Sequence, residues 1–78
     1  MRVLVTGGAG FIGRSLVKEL LANNYTVNVI DTVSSSDKNA QSLIQLGARY
    51  HNGDIRDSSS VEQAGSGCSH IVLSLIHI

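Results

Sequence analysis

Several things this sequence has little of narrow its role before any motif is considered. Cysteine occurs once, at Cys68, so no internal disulfide can form, and a disulfide-stapled secreted scaffold is excluded. The expected setting is reducing and cytoplasmic. Six basic residues balance six acidic ones, which leaves no electrostatic draw towards nucleic acid or an anionic membrane. No apolar run approaches the ~18 residues needed to span a bilayer. Only Arg2 precedes the first apolar residues and glycines follow at once, a poor pattern for a signal peptide. Low-complexity segments and internal repeats are missing too. Hydrophobic residues make up 42% of 78 positions, which suits an ordinary globular interior. A chain of this length makes at most one domain, near the lower limit for an independent core.

Strand and helix signals alternate along the chain. "RVLV" (Arg2 to Val5) is an apolar run without alternation, as in a strand covered on both faces. Ile12, Leu16, Val17, Leu20 and Leu21 recur at helical spacing and predict a helix from about Gly10 to Asn23, with Asn23-Asn24 as a left-handed stop. "YTVNVI" (Tyr25 to Ile30) reads as a second strand ended by Asp31. A second helix follows "VSSSDKNA", capped by Ser36 or Asp37, burying Leu43, Ile44 and Leu46 and stopping at Gly47. "ARYHNG" reads as a short third strand. "DSSSVEQAG" predicts a third helix, with Ser59 and Glu62 at capping-box spacing and Asp57 as an alternative cap. "SHIVLSL" is the fourth strand. The fold class is therefore α/β: a parallel sheet of about four strands with three helices in β-α-β-α-β-α-β order, joined by right-handed crossovers. That is about half of a doubly wound sheet.

Chemistry concentrates in "VLVTGGAGFIG" (Val3 to Gly13). A strand feeding straight into a helix leaves the first helical amides unpaired, and these with the helix dipole attract phosphate. Glycine is needed where backbone must approach that phosphate. In the spacing Gly7-x-x-Gly10-x-x-Gly13, Gly7 makes the tight turn, Gly10 admits a pyrophosphate and Gly13 lets the helix lie close to the strand. A glycine triplet alone can simply join two elements. Here a strand precedes it, an amphipathic helix follows, and an acid stands about 20 residues on. That acid, Asp31, ends the second strand, where a carboxylate can accept from both hydroxyls of an adenosine ribose. Taken alone, Asp31 reads as a turn cap before "TVSSS".

"VTGGAGFIG" together with "VID", "GDIRD" and the "HIVL" strand resembles the N-terminal part of extended short-chain dehydrogenases. These include the NAD-dependent epimerases and dehydratases and the 3β-hydroxysteroid dehydrogenase-like enzymes. The resemblance covers roughly residues 1 to 73 and implies a partial Rossmann fold with bound NAD. By position, Gly7, Gly10 and Gly13 match the family's phosphate loop, and Phe11 and Ile12 match residues whose backbone amides meet the pyrophosphate. Asp31 matches the ribose acid, and Asp54 and Ile55 match the pair that flanks adenine. Read without the family, Asp54 is better taken as a turn residue in "NGDIRD". Asp31 favours NAD over NADP, because its carboxylate repels a 2′-phosphate. Arg14, just after Gly13, tempers this: it can reach a phosphate, or serve as a solvated helix residue.

The family's chemistry needs a Tyr-x-x-x-Lys pair, whose lysine lowers the tyrosine pKa for proton exchange during hydride transfer. Here Tyr25 is followed four residues on by Val29, and Tyr50 by Asp54. Both tyrosines read as packing residues, and the resemblance implies that the catalytic tyrosine lies beyond residue 78. These residues alone are not expected to catalyse the reaction, and a small-molecule substrate belongs only to a longer form. The last strand also departs from the family, with Leu75 and Ile76 where small residues are expected. "LSLIHI" resembles the start of a translated sequencing adapter, so residues from about 73 to 78 are expected to be non-native and His77 to have no role. His51 and His70 lack a partner at metal-ligand spacing. Cys68 has no flanking base or cation and reads as a small packing residue. The serine runs at 34–36 and 58–60 read as loop and cap material.

Three readings stay open at this level. The chain is the cofactor-binding half of an enzyme acting on a sugar nucleotide or a sterol-like substrate, a non-catalytic dinucleotide-binding relative, or a truncated product without function. The connector "DTVSSSDKNAQ" differs from that of many sugar-nucleotide epimerases and leans towards sterol- or flavonoid-type reductases.

Overall fold

The computed structural model describes residues 2–7 and 9–73. Seven elements alternate along them: β1 (Arg2–Thr6), α1 (Phe11–Ala22), β2 (Thr26–Asp31), α2 (Lys38–Leu46), β3 (Arg49–Asn52), α3 (Ser58–Ala64) and β4 (His70–Leu73). All pairings are parallel and the strand order is β3-β2-β1-β4. The α/β class and four-strand, three-helix order expected from the sequence are what the chain adopts. The order runs outward from β1 to β3, then returns to place β4 on the other side of β1. The direction of winding thus reverses between β1 and β4, and the crevice over their C-terminal ends is where such sheets bind ligands.

Alternation along β1 and β2 supplies two cores. Val3, Val5, Val27 and Val29 face one way and join Val17 of α1, Leu43 of α2 and Ala48. Leu4 and Ile30 face the other way, against Ala64 of α3, with Val61 and Cys68 alongside. Leu4, Val5, Val17, Val27, Val29, Ile30 and Leu43 are fully out of water, and burying one such side chain contributes about 1.5–3 kcal/mol relative to exposure. Thr6 is one buried polar residue of this apolar sheet and Asn28 is another. Asn28 Nδ2 donates to the Ala64 carbonyl at 2.8 Å across the β2–α3 interface, which ties the end of α3 to the central sheet.

The helix ends follow local rules, with two corrections. Asn24 takes φ +68°, and the Asn24 and Tyr25 amides donate to the Leu21 and Leu20 carbonyls. That is a Schellman stop, formed here without glycine. Gly47, at φ +106°, ends α2 in the same way. Asp37 caps α2 by accepting from the Asn39 amide. The expected Ser59–Glu62 capping box does not form, because Asp57 caps α3 from two residues earlier by accepting from the Ser59 amide. Nor does α2 bury Ile44 and Leu46, which are exposed; Ala40 and Leu43 face the sheet instead. A nine-residue helix packed against β3 and α1 buries a narrower stripe than apolar spacing alone suggests. Ile12 is likewise exposed, on the first turn of α1. Most of the tail singled out in the sequence, residues 74–78, lies outside the described residues.

Candidate functional site at the strand ends

Three strand ends deliver every residue that the sequence singled out. After β1 the chain turns at Gly7, whose φ of +68° lies in the left-handed region that side chains disfavour. The Gly7 amide donates to the Ile30 carbonyl at 2.9 Å, stapling the loop onto the end of β2. Gly10 is different. Its backbone (φ −74°, ψ 172°) is open to any residue, and among the described residues a Cβ built there would meet nothing nearer than the Gly7 carbonyl at 3.5 Å, an ordinary contact. The backbone requires glycine at position 7, but the described residues give no such reason for it at position 10. Gly13 is buried within α1.

The three helices begin differently. α2 and α3 start on aspartates whose side chains accept first-turn amides. α1 starts on Gly10, which offers no side-chain cap, and its first turn carries no acid. The positive end of the α1 dipole therefore meets no carboxylate from its own first turn. Phe11 and Ile12 stand at that end, 78% and 54% exposed, with their side chains in solvent. Two buried polar atoms near the loop lack a hydrogen-bond partner: Thr6 Oγ1, just before it, and Arg14 Nε, in the first turn of α1. Arg14 as a whole is half-buried, with its Nε withdrawn from solvent.

Asp31, the last residue of β2, is half-buried and tied at both carboxylate oxygens. Its Oδ2 accepts from the Ala9 amide in the glycine loop at 3.0 Å, and its Oδ1 accepts from the Val33 amide at 3.2 Å. The turn-cap role and the position beside the loop belong to the same side chain. Each oxygen keeps a further lone pair.

Past β3, the Gly53 amide donates to the Asp31 carbonyl at 2.9 Å, bringing Asp54 and Ile55 up to the end of β2. Gly53 is closely packed: a Cβ there would stand 3.0 Å from both Cβ and Oγ of Ser60 on α3. The Asp54 carboxylate is gripped by Arg56, whose Nη2 donates to Oδ2 at 2.7 Å and whose amide donates to Oδ1 at 2.9 Å. The Arg56 guanidinium and amide hold the Asp54 carboxyl down at about 2. These are the contacts of a turn residue. Gly7, Asp31, Asp54 and Ile55 nevertheless share one open depression with Ile30, Thr32 and Gly53.

Tyr50, assigned to packing by its sequence, does more. Its ring lies against the valine core and its hydroxyl donates to the Val33 carbonyl. Burial, then the carboxylates of Asp31 and Asp37, push the phenol up to about 12. Cys68 is half-buried, and burial raises its thiol despite the opposing charge of Arg2. Among the described residues no cluster of His, Cys, Asp and Glu is fit to hold a metal. None of their helices is long and apolar enough to cross a membrane.

A parallel sheet with a winding reversal, a glycine loop after its first strand and an acid after its second define a Rossmann-type α/β protein. Residues 4–77 match the 3-beta hydroxysteroid dehydrogenase/isomerase family, and the chain belongs to that family. It is 31% identical over 70 residues to the sterol-4-alpha-carboxylate 3-dehydrogenase, decarboxylating, of Dictyostelium discoideum, covering 90% of this chain and 20% of the relative. It is 39% identical over 66 residues to the UDP-glucose 4-epimerase of Lacticaseibacillus casei, covering 85% and 19%. Among solved structures, Thermus thermophilus UDP-glucose 4-epimerase in complex with NAD superposes with a TM-score of 0.78 at 35% identity, over 99% of this chain and 24% of that one. Vestitone reductase from alfalfa superposes with a TM-score of 0.77 at 34% identity, over 92% and 24%. The chain thus spans about a fifth of the length of the curated relatives it matches.

Proposed function

We propose that this chain is the cofactor-holding portion of an NAD-dependent enzyme acting on a sugar nucleotide or a sterol-like substrate. One observation carries the reading. Gly10 is a glycine that neither backbone strain nor packing against the described residues requires, and it stands where a side chain would block approach to the open end of α1. A bound pyrophosphate supplies the missing reason. The Phe11 and Ile12 amides, with Gly7 and Gly13 shaping the loop and helix, receive it. The remaining lone pairs of Asp31 accept from the ribose hydroxyls, and Ile55 offers an apolar surface to adenine. Asp54 contributes less than the family pattern implies, because Arg56 already places two donor contacts on each of its oxygens. A carboxylate at position 31 disfavours a 2′-phosphate, so NAD is preferred to NADP.

When bound, NAD supplies a hydride acceptor. What this chain's residues do is bind and orient it, and the Tyr-x-x-x-Lys pair that would move a proton is not among these 78 residues. The direct test is a fluorescence titration of the chain with NADH and, separately, NADPH. The expected result is a saturable NADH response and a weaker NADPH one. A linear, non-saturating response to both would reject the reading.

A further inference from the structure

Val33 is the one connector residue whose peptide group is held at both ends. Its amide donates to Asp31 Oδ1 at 3.2 Å, and its carbonyl accepts from the Tyr50 hydroxyl. The other hydrogen bonds of the Thr32–Ser36 connector, among the described residues, stay inside it or run to the start of α2. Ser34 Oγ pairs with Ser36, the Asp37 amide donates to the Ser34 carbonyl, and Gln41 donates to the Ser35 carbonyl. Tyr50 is therefore the connector's hydrogen-bonded strut to β3. The register places Tyr50 beside Val29, so its ring rests on the valine core and only its hydroxyl reaches the connector.

The strut acts on Asp31 by way of Val33. The Asp31 carboxylate is held between the Ala9 amide on the glycine loop and the Val33 amide on the connector. If the connector shifts, one of those two ties is lost and the carboxylate can rotate away from where it reads a ribose. Two atoms of Val33 thus link a phenol on β3 to the acid at the end of β2, and Asp31 links both to the glycine loop.

We propose that Tyr50 is a positioning residue, holding Asp31 through Val33 in the orientation that accepts a free ribose 2′-hydroxyl and turns away a 2′-phosphate. This rests on the dinucleotide reading and assigns within it a specificity role to a residue that does not touch the ligand. The Tyr50 phenol remains a protonated donor throughout the neutral range, since its pKa is pushed up to about 12.

The test is Tyr50→Phe, which keeps the ring in the core and removes only the hydroxyl. Both NADH and NADPH are titrated against the wild-type chain, Tyr50→Phe, Asp31→Asn and the double variant. Loss of one hydrogen bond's worth of positioning should weaken NADH binding about threefold to tenfold. NADPH binding should weaken less, so the preference ratio narrows. In the Asp31→Asn background, adding Tyr50→Phe should leave that ratio unchanged. Faster amide hydrogen exchange at Val33 in Tyr50→Phe, with circular dichroism unchanged, should accompany these shifts. An NADH-to-NADPH ratio equal to wild type in Tyr50→Phe overturns the inference while the dinucleotide reading stands. A wild-type chain that saturates with neither ligand overturns both.

Discussion

Replacing Gly10 by alanine separates what the fold needs from what a ligand needs. Among the described residues the added methyl would meet only the Gly7 carbonyl, at 3.5 Å, and the backbone at φ −74° and ψ 172° already suits an L-residue. Restricting the unfolded chain stabilises by about 0.4–1 kcal/mol at a compatible site. Alanine is a poorer N-cap than glycine by a comparable amount, so the two effects nearly offset. Unfolding stability should therefore move by no more than about 0.5 kcal/mol in urea titration. Binding should respond differently. The methyl would stand between a pyrophosphate and the first-turn amides, and hydrogen bonds to a charged group are worth about 1.5–3 kcal/mol each. Losing about 2–3 kcal/mol weakens NADH affinity by roughly 30- to 150-fold. Parallel NADH titration and urea unfolding of Gly10→Ala test this directly. Wild-type NADH affinity in the alanine variant would refute the phosphate-loop assignment. A loss of stability matching the loss of binding would show that Gly10 serves the fold after all.

Two further outcomes concern the β3–α3 turn. Gly53→Ala should destabilise by about 1–3 kcal/mol, the usual range for overpacking, because the new Cβ would stand 3.0 Å from Cβ and Oγ of Ser60. Much of this should be recovered in Gly53→Ala with Ser60→Gly, and additive losses in a urea-unfolding cycle would contradict the packing account. Asp54 is held down to about 2 by Arg56, from an ordinary value of 3.8. A depressed folded-state pKa gives stability that is present above 3.8 and lost as pH falls through about 2. The Tm gap between wild type and Asp54→Asn should therefore close as pH falls across that window. A gap that stays constant from pH 5 to pH 2 would count against the ion pair, whose Arg56 side is open to solvent and which is expected to contribute little at any pH.

Local chemistry wrote much of this protein into its sequence. Unalternated apolar strands, a left-handed stop at Asn24 and a glycine end at Gly47 need only neighbouring residues, so element order and class were legible there. So was the glycine loop, because Gly7-x-x-Gly10-x-x-Gly13 after a strand and before a helix has few other uses. Where local rules offered two answers, tertiary packing chose. Asp57 displaced the Ser59–Glu62 box at α3, and the sheet face available to α2 took Leu43 and left Ile44 and Leu46 in water. Asn28 passed unnoticed in "YTVNVI" because its partner, the Ala64 carbonyl, lies 36 residues away.

The sequence by itself determined a parallel α/β chain with a glycine loop between its first strand and first helix, and it marked Asp31 and Asp54 as acids at strand ends. Only the tertiary structure decided what those acids are doing. Asp54 is taken up by Arg56, whereas Asp31 joins the glycine loop to a connector that Tyr50 supports from β3. Glycine at position 7 is a backbone necessity and at position 10 is not, a distinction that a repeated letter cannot carry. The physical reason is the same in each case. Propensity, capping and spacing act within a turn or two of the chain, but the atoms that satisfy a carboxylate or crowd a Cβ are delivered by strands far apart in sequence.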